Sequence, residues 1–238
     1  TILLIDDERP TLNMLSLFLE AYGFGSITAE NGEAGIDLFK EHRPEIVMTD
    51  IKMPGMDGIE VLKQIKALSP ATEVIMVTGH GDMDLAIKAL NLSATDFINK
   101  PVRKEALEAA LRRAEERLDA GGAQGNDIEF SEKESIPILH IHGNVTASSE
   151  PYLQDACNCL IEQAHNKALL IFDENATING AGIALLTQLL LECSNKGLIL
   201  AITGVSDNFH TVFDIVGINR FASLHKTVDE ALSALDKA

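Results

Sequence analysis

The 238 residues predict an α/β protein of two domains, and three observations carry this. Short apolar runs alternate with helical patterns through the first half of the chain. A Gly-rich patch, Gly121-Gly122-Ala123-Gln124-Gly125-Asn126, then falls between a long helical pattern and a strand-like one, and it reads as a flexible linker. The length, at a soft ~150 residues per domain, fits one large domain or two small ones with real cores. Together these divide the chain into residues 1–120, a linker at 121–127, and residues 128–238.

In the first half, apolar runs lie at 2–5, 46–48 and 74–77, with weaker strand candidates at 26–29 and 96–98. Uninterrupted runs of this length suit strands buried on both faces. Between them, Leu12, Leu15, Phe18 and Leu19, and later Ile59, Val61, Leu62 and Ile65, recur at helical spacing. A last helix over 103–118 sets Leu107, Leu111 and Leu118 on one side and charge on the other. Five strand–helix units predict a doubly wound, five-stranded parallel sheet. The second half is mixed but less regular. Strands are predicted at 136–141, 168–172 and 198–203, and helices at 151–165, 182–194, 209–216 and 228–235. Two strands before the first of these helices predict a mixed sheet with helices packed mainly on one side.

With 36 acidic and 19 basic side chains the net charge is −17. No Lys/Arg cluster is present to neutralise phosphates, and the second half shows no basic recognition helix, so a DNA-binding role is disfavoured. No apolar run reaches the ~18 residues of a membrane span. No signal peptide is visible, and a start in a strand-like run without Met predicts that a few residues were trimmed. Cys157, Cys159 and Cys193 are too few and too odd in number for a disulfide framework. A reducing, cytoplasmic setting is the simplest expectation.

Acidic residues stand at strand ends: Asp6 and Asp7 after the first strand, Asp50 after the third. In an open α/β sheet, ligands bind outside the carboxyl ends of the strands, so these carboxylates should converge. Two carboxylates ~4 Å apart repel by about 4 kcal/mol at an effective dielectric of ~20. Such a cluster asks for a cation, and hard oxygen ligands favour Mg²⁺, which keeps several waters. The next two strands end in Thr78 and Lys100. A hydroxyl and an ammonium at the same rim suit an added phosphoryl group. Each residue also has a bland reading, as a helix cap or a turn; five at the appropriate strand ends make that reading weak. After Asp50, Pro54, Gly55 and Gly58 force a tight loop before the next helix.

The motifs Leu4-Ile5-Asp6-Asp7, Thr49-Asp50 with Met53-Pro54 and Asp57-Gly58, Val77-Thr78-Gly79, and Asn99-Lys100-Pro101 occur in order. With them, residues 1–120 resemble a response-regulator receiver domain, of flavodoxin-like fold. The resemblance implies that Asp50 accepts a phosphoryl group from a phosphohistidine on a sensor histidine kinase or phosphotransfer protein. It implies Mg²⁺ bound directly by Asp7, Asp50 and the backbone carbonyl of Lys52, with Asp6 acting through water. Lys100 would pair with a phosphoryl oxygen, Thr78 would move to bond it, and Phe97 would follow as a switch aromatic or else serve as core. A cis Lys100–Pro101 bond is implied too. Haloacid-dehalogenase-type phosphatases offer a rival reading with an Asp nucleophile. They place an acid two residues after the nucleophile, where this chain has Lys52, which is no general acid at pH 7. Gly79 leaves space beside Thr78, while Lys52 and His80 flank the site.

In the second half, Cys157-Asn158-Cys159 on a helix is a weak metal signal. His140 and His142 share a strand face, but two histidines define no site. The informative segment is Leu169-Leu170-Ile171-Phe172-Asp173-Glu174-Asn175-Ala176-Thr177-Ile178-Asn179-Gly180-Ala181-Gly182-Ile183, a strand, a loop and a helix start that Asn179 can cap. With Gly143-Asn144-Val145 behind the strand at 136–141 and the ending Phe221 to Thr227-Val228-Asp229-Glu230-Ala231, residues 128–238 resemble a STAS domain. This is the fold of anti-sigma-factor antagonists and sulfate-transporter tails. Antagonists carry an Asp-Ser pair at this helix start, and its Ser is phosphorylated by an anti-sigma kinase. Here the pair is Asn179-Gly180, with no hydroxyl; Thr177 is a weak substitute. The resemblance implies that phosphorylation of Asp50 replaces this switch and controls binding of an anti-sigma factor, a serine kinase or a related regulatory protein. A small-ligand sensor, for a nucleotide or lipid, is the alternative for this half. The charged helix before the linker leaves room for a homodimer.

Overall fold

A computed structural model describes residues 1–79, 81–119, 128–163, 165–173 and 176–237. The chain forms two compact units, Thr1–Ala123 and Gln124–Ala238. The linker expected at 121–127, His80, Glu174 and Asn175 lie outside the described residues.

The first unit alternates strand and helix: β1 (Ile2–Ile5), α1 (Arg9–Ala21), β2 (Ser26–Ala29), α2 (Gly32–His42), β3 (Ile46–Asp50), α3 (Gly58–Leu68), β4 (Glu73–Thr78), α4 (Met83–Asn91), β5 (Asp96–Asn99) and α5 (Lys104–Asp119). All strands are parallel, in the order β2-β1-β3-β4-β5, as the apolar runs predict. On one face Ile2, Leu4, Ile46, Met48, Ile75, Val77 and Ile98 pack with leucines of α1 and α5. The alternate residues, including Leu3, Ile5, Val47, Met76 and Phe97, are also buried, and α2, α3 and α4 lie against β1, β3 and β4. Burial on both faces is why these strands read as unbroken apolar runs. A buried pair, Arg113 with Asp96, joins α5 to the start of β5, and Arg117 Nε meets Glu73 Oε2 at 2.9 Å.

The second unit runs β6 (Ile128–Lys133), β7 (Ile136–Ile141), α6 (Glu150–Glu162), β8 (Lys167–Phe172), α7 (Gly180–Asn195), β9 (Ile199–Thr203), α8 (Asp207–Val216), β10 (Ala222–Leu224) and α9 (Val228–Lys237). The sheet order is β10-β9-β8-β7-β6, with only the β6–β7 pair antiparallel. The mixed sheet is as expected, and two strands do precede α6. The expectation of helices mainly on one side needs correction. Leu139, Leu170 and Leu200 pack with α6 and α7, whereas Ile136, Ile138, Leu169 and Ala201 pack with Ala231, Leu232 and Leu235 of α9. Strand side chains alternate between faces, and both faces here are apolar, so both take a helix. Strand β10 has no apolar run; it forms because three residues can extend the parallel edge of β9.

Candidate functional site

Register builds the first unit's site. Ile5 pairs with Thr49 and Asp50 with Val77, so Asp6 and Asp50 emerge side by side where β1 and β3 meet. Chain connections leave these two strands in opposite directions, the switch point at which doubly wound sheets bind ligands. Thr78 pairs with Asn99, and Lys100 N–H donates to Thr78 O at 2.7 Å, which delivers Lys100 to the same rim. Gly58 closes the loop after β3: a Cβ there would lie 2.1 Å from Asp50 O.

Lys100 Nζ lies 2.7 Å from Asp50 Oδ1 and 3.0 Å from Asp6 Oδ2. Glu8 Oε2 is 4.0 Å from the same ammonium. The other oxygens are also engaged. Lys52 N–H donates to Asp50 Oδ2 at 3.0 Å, and Glu8 N–H to Asp6 Oδ1 at 2.8 Å. Asp6 and Asp50 are 2% and 5% exposed, whereas Asp7 faces solvent. Burial pushes the Asp50 carboxyl above its ordinary range, only partly offset by the hydrogen bond and charge of Lys100. Burial works against the Lys100 charge, but bonds to Asp50 and Asp6 outweigh it and hold the ammonium above the lysine range. Thr78 is fully buried, its hydroxyl donating to Gly79 O at 3.5 Å rather than to Asp50. Phe97 is fully buried, opposite Met76. The Lys100–Pro101 bond is cis.

Three carboxylates (Asp6, Glu8 and Asp50) thus stand within 4.0 Å of one ammonium, and Asp7, expected to converge with Asp6 and Asp50, is exposed beside them in the chain. This oxygen-only set of excess negative charge fits a hard divalent cation. Among the described residues no three His, Cys, Asp or Glu side chains are gathered closely enough to hold a metal by themselves. The oxygens of Asp6 and Asp50 are of the hard kind that Mg²⁺ takes, a cation that needs few carboxylates and keeps several waters. One residue at the rim was not expected from sequence: Asp82, whose Oδ1 is 2.6 Å from Lys52 Nζ. Its only sequence signal was an acidic residue just ahead of α4.

In the second unit, Asn179 caps α7, accepting from Gly182 N–H at 2.9 Å. Gly180 is buried in the first turn. Thr177 is only 3% exposed, and its hydroxyl donates to Asn144 Oδ1 at 2.7 Å. The His140 and His142 rings do share a face, stacked with centroids 6.2 Å apart. His142 Nδ1 is 3.0 Å from Asp173 Oδ1, and His140 Nε2 3.0 Å from Ser131 Oγ. All three cysteines are free. Cys157 and Cys193 line an apolar void of ≈10 Å³ between α6, α7 and the sheet, too small for a nucleotide or a lipid chain.

Family models match residues 2–112 as a response regulator receiver domain and residues 127–231 as a STAS domain. The chain is 37% identical over 118 residues to the transcriptional regulatory protein FixJ of Bradyrhizobium diazoefficiens, covering 48% of this chain and 58% of that protein. It is 30% identical over 185 residues to the regulatory protein AtoC of Escherichia coli, covering 74% of this chain and 37% of that one. The chain thus spans less than two thirds of the length of these curated relatives. Among solved structures, a receiver domain protein from Clostridium thermocellum is 38% identical with a TM-score of 0.48, covering 50% of this chain and 95% of that one.

Proposed function

We propose that this chain, a response regulator receiver domain joined to a STAS domain, is a two-component switch in which phosphorylation of Asp50 controls a protein contact of the STAS domain. The observation that carries the reading is Asp50 itself, a carboxylate at the mouth of the sheet with Lys100 Nζ at 2.7 Å and Asp6 3.0 Å from the same ammonium. An Asp50 oxygen attacks the phosphorus of a donor phosphohistidine. The P–O bond forms as the P–N bond breaks, and the ring nitrogen keeps the electron pair, so that a donor already protonated on its other nitrogen leaves as neutral imidazole. Lys100 neutralises charge on the transferred group, which is the electrostatic task in phosphoryl transfer. Mg²⁺ would be held by Asp7, Asp50 and the Lys52 carbonyl, with Asp6 through water, and would add Lewis-acid neutralisation of the phosphoryl oxygens. Thr78 then turns its hydroxyl from Gly79 O to the phosphoryl group, and Phe97 shifts with it.

The donor is a sensor histidine kinase or phosphotransfer protein, which places the chain in the cytoplasm. The STAS partner is an anti-sigma factor, serine kinase or related regulator. Two features support an output driven from Asp50: the α7 start carries no hydroxyl at Gly180, and the Thr177 hydroxyl is buried against Asn144. The ion pair of Lys52 with Asp82 supports a phosphoacceptor over a turnover phosphatase, since Lys52 offers no acid to a leaving group. Labelled acetyl phosphate with Mg²⁺ tests the site. Label should enter the wild-type chain and be lost in Asp50→Asn; label persisting elsewhere overturns the assignment. A pull-down with and without a phosphoryl mimic on Asp50 then reads the output.

A further inference from the structure

Lys52 holds two places in the receiver at once. Its backbone N–H donates to Asp50 Oδ2 at 3.0 Å, while its ammonium reaches Asp82 Oδ1 at 2.6 Å. Asp82 immediately precedes α4, where an aspartate ordinarily accepts a bond from a first-turn N–H. Here its side chain makes no such bond, and its backbone, at φ −101° and ψ 22°, is not the extended one of a capping residue. The Asp82 carbonyl takes the Leu85 and Ala86 N–H groups, so the amide its carboxylate would serve is that of Asp84. Gly79 makes room for the present arrangement, since a Cβ there would stand 3.2 Å from Asp82 Oδ2. The pair thus ties the loop after β3 to the loop after β4 and diverts Asp82 from its helix.

We propose that Lys52 is a shared cation, held by Asp82 while Asp50 is unmodified and drawn to the phosphoryl group once Asp50 carries one, so that Asp82 is released to cap α4. The inference rests on Asp50 being the phosphoacceptor. A phosphoryl group brings close to two negative charges, against one on Asp82. It would be attached to the carboxylate that already bonds the Lys52 amide. The Lys52 side chain is 67% exposed on a flexible stem, so it can be redirected at little cost. Capping requires Asp82 to move to an extended backbone, which carries the electrostatic change at Asp50 into the start of α4.

Lys52→Met and Asp82→Asn, singly and together in the full chain, test this with two readouts; both leave the Lys52 backbone amide and carbonyl in place. The first is hydrogen exchange at the Asp84 amide in the unphosphorylated protein. Lys52→Met should slow it about threefold or more by freeing Asp82 to cap, and the double variant should not. The second is affinity for beryllium fluoride with Mg²⁺, an acyl-phosphate mimic. Asp82→Asn should tighten binding about threefold and Lys52→Met weaken it about as much, with the double variant matching Lys52→Met. Simple charge effects would instead add, so additive shifts, or unchanged exchange in Lys52→Met, overturn the proposal. If beryllium fluoride binds Asp50→Asn as well as wild type, the phosphoacceptor reading fails instead.

Discussion

The surroundings of Asp50 disfavour its ionised form. Burial raises its pKa, and Lys100 recovers only part of the difference. An acid whose pKa is raised by folding binds its proton more tightly in the native state, so ionising it lowers stability; the loss is complete above the folded pKa and absent below the ordinary one. Asp50→Asn should therefore raise the melting temperature of the receiver at neutral pH, with the gain shrinking as the pH falls toward the unperturbed 3.8. A variant that melts lower at pH 7 and gains on acidification would reverse this account. Asp6, Asp50 and Thr78 were legible as strand-end residues because each ends or follows an apolar run, and Lys100 was less so because the strand before it is short and opens on Asp96. The partnership of Lys52 with Asp82 was not, since an acidic residue before a helix ordinarily reads as a cap. Nor was the Asp96–Arg113 pair, because residues 17 apart meet only once α5 lies on the sheet.

At the scale of elements, the start of α7 is set by close packing. A Cβ on Gly182 would stand 2.2 Å from Val145 O, and that carbonyl also accepts the Asn179 N–H. Gly182→Ala forces backbone to shift, and overpacking of this kind costs about 1–3 kcal/mol, to be read as a lowered urea midpoint of the second unit. The same helix start lacks an acceptor hydroxyl. Incubation with an anti-sigma serine kinase and ATP should leave the STAS domain without stoichiometric label, whereas label near Thr177 would show that a local switch survives there. Strands and helices with strong periodicity, such as β1, β7 and α5, stand out in the sequence. Strand β6 does not, because it is a solvent-exposed edge with no apolar pattern to mark it. Strand β10 is too short to carry a pattern at all.

At the scale of the whole molecule, each unit has its own five-stranded sheet and core. The acidic rim belongs to the first alone. Ligand that binds only the native state stabilises by mass action. Calorimetry of the full chain should thus show Mg²⁺ raising one unfolding transition and not the other, and Asp50→Asn should abolish that rise. A shift of both transitions would mean that Mg²⁺ acts elsewhere. The charge of −17 spreads over both units. The sequence by itself determined the two-unit plan, the parallel sheet of the first unit and the meeting of Asp6 and Asp50 at one edge of it, because apolar runs and turn residues act locally and a doubly wound sheet has one ligand edge. Only the tertiary structure decided which carboxylate the Lys100 ammonium meets, that Thr177 is buried against Asn144, that helices cover both faces of the second sheet, and that Lys52 turns to Asp82. Those outcomes depend on distances between segments far apart in the chain, which packing sets and local pattern does not carry.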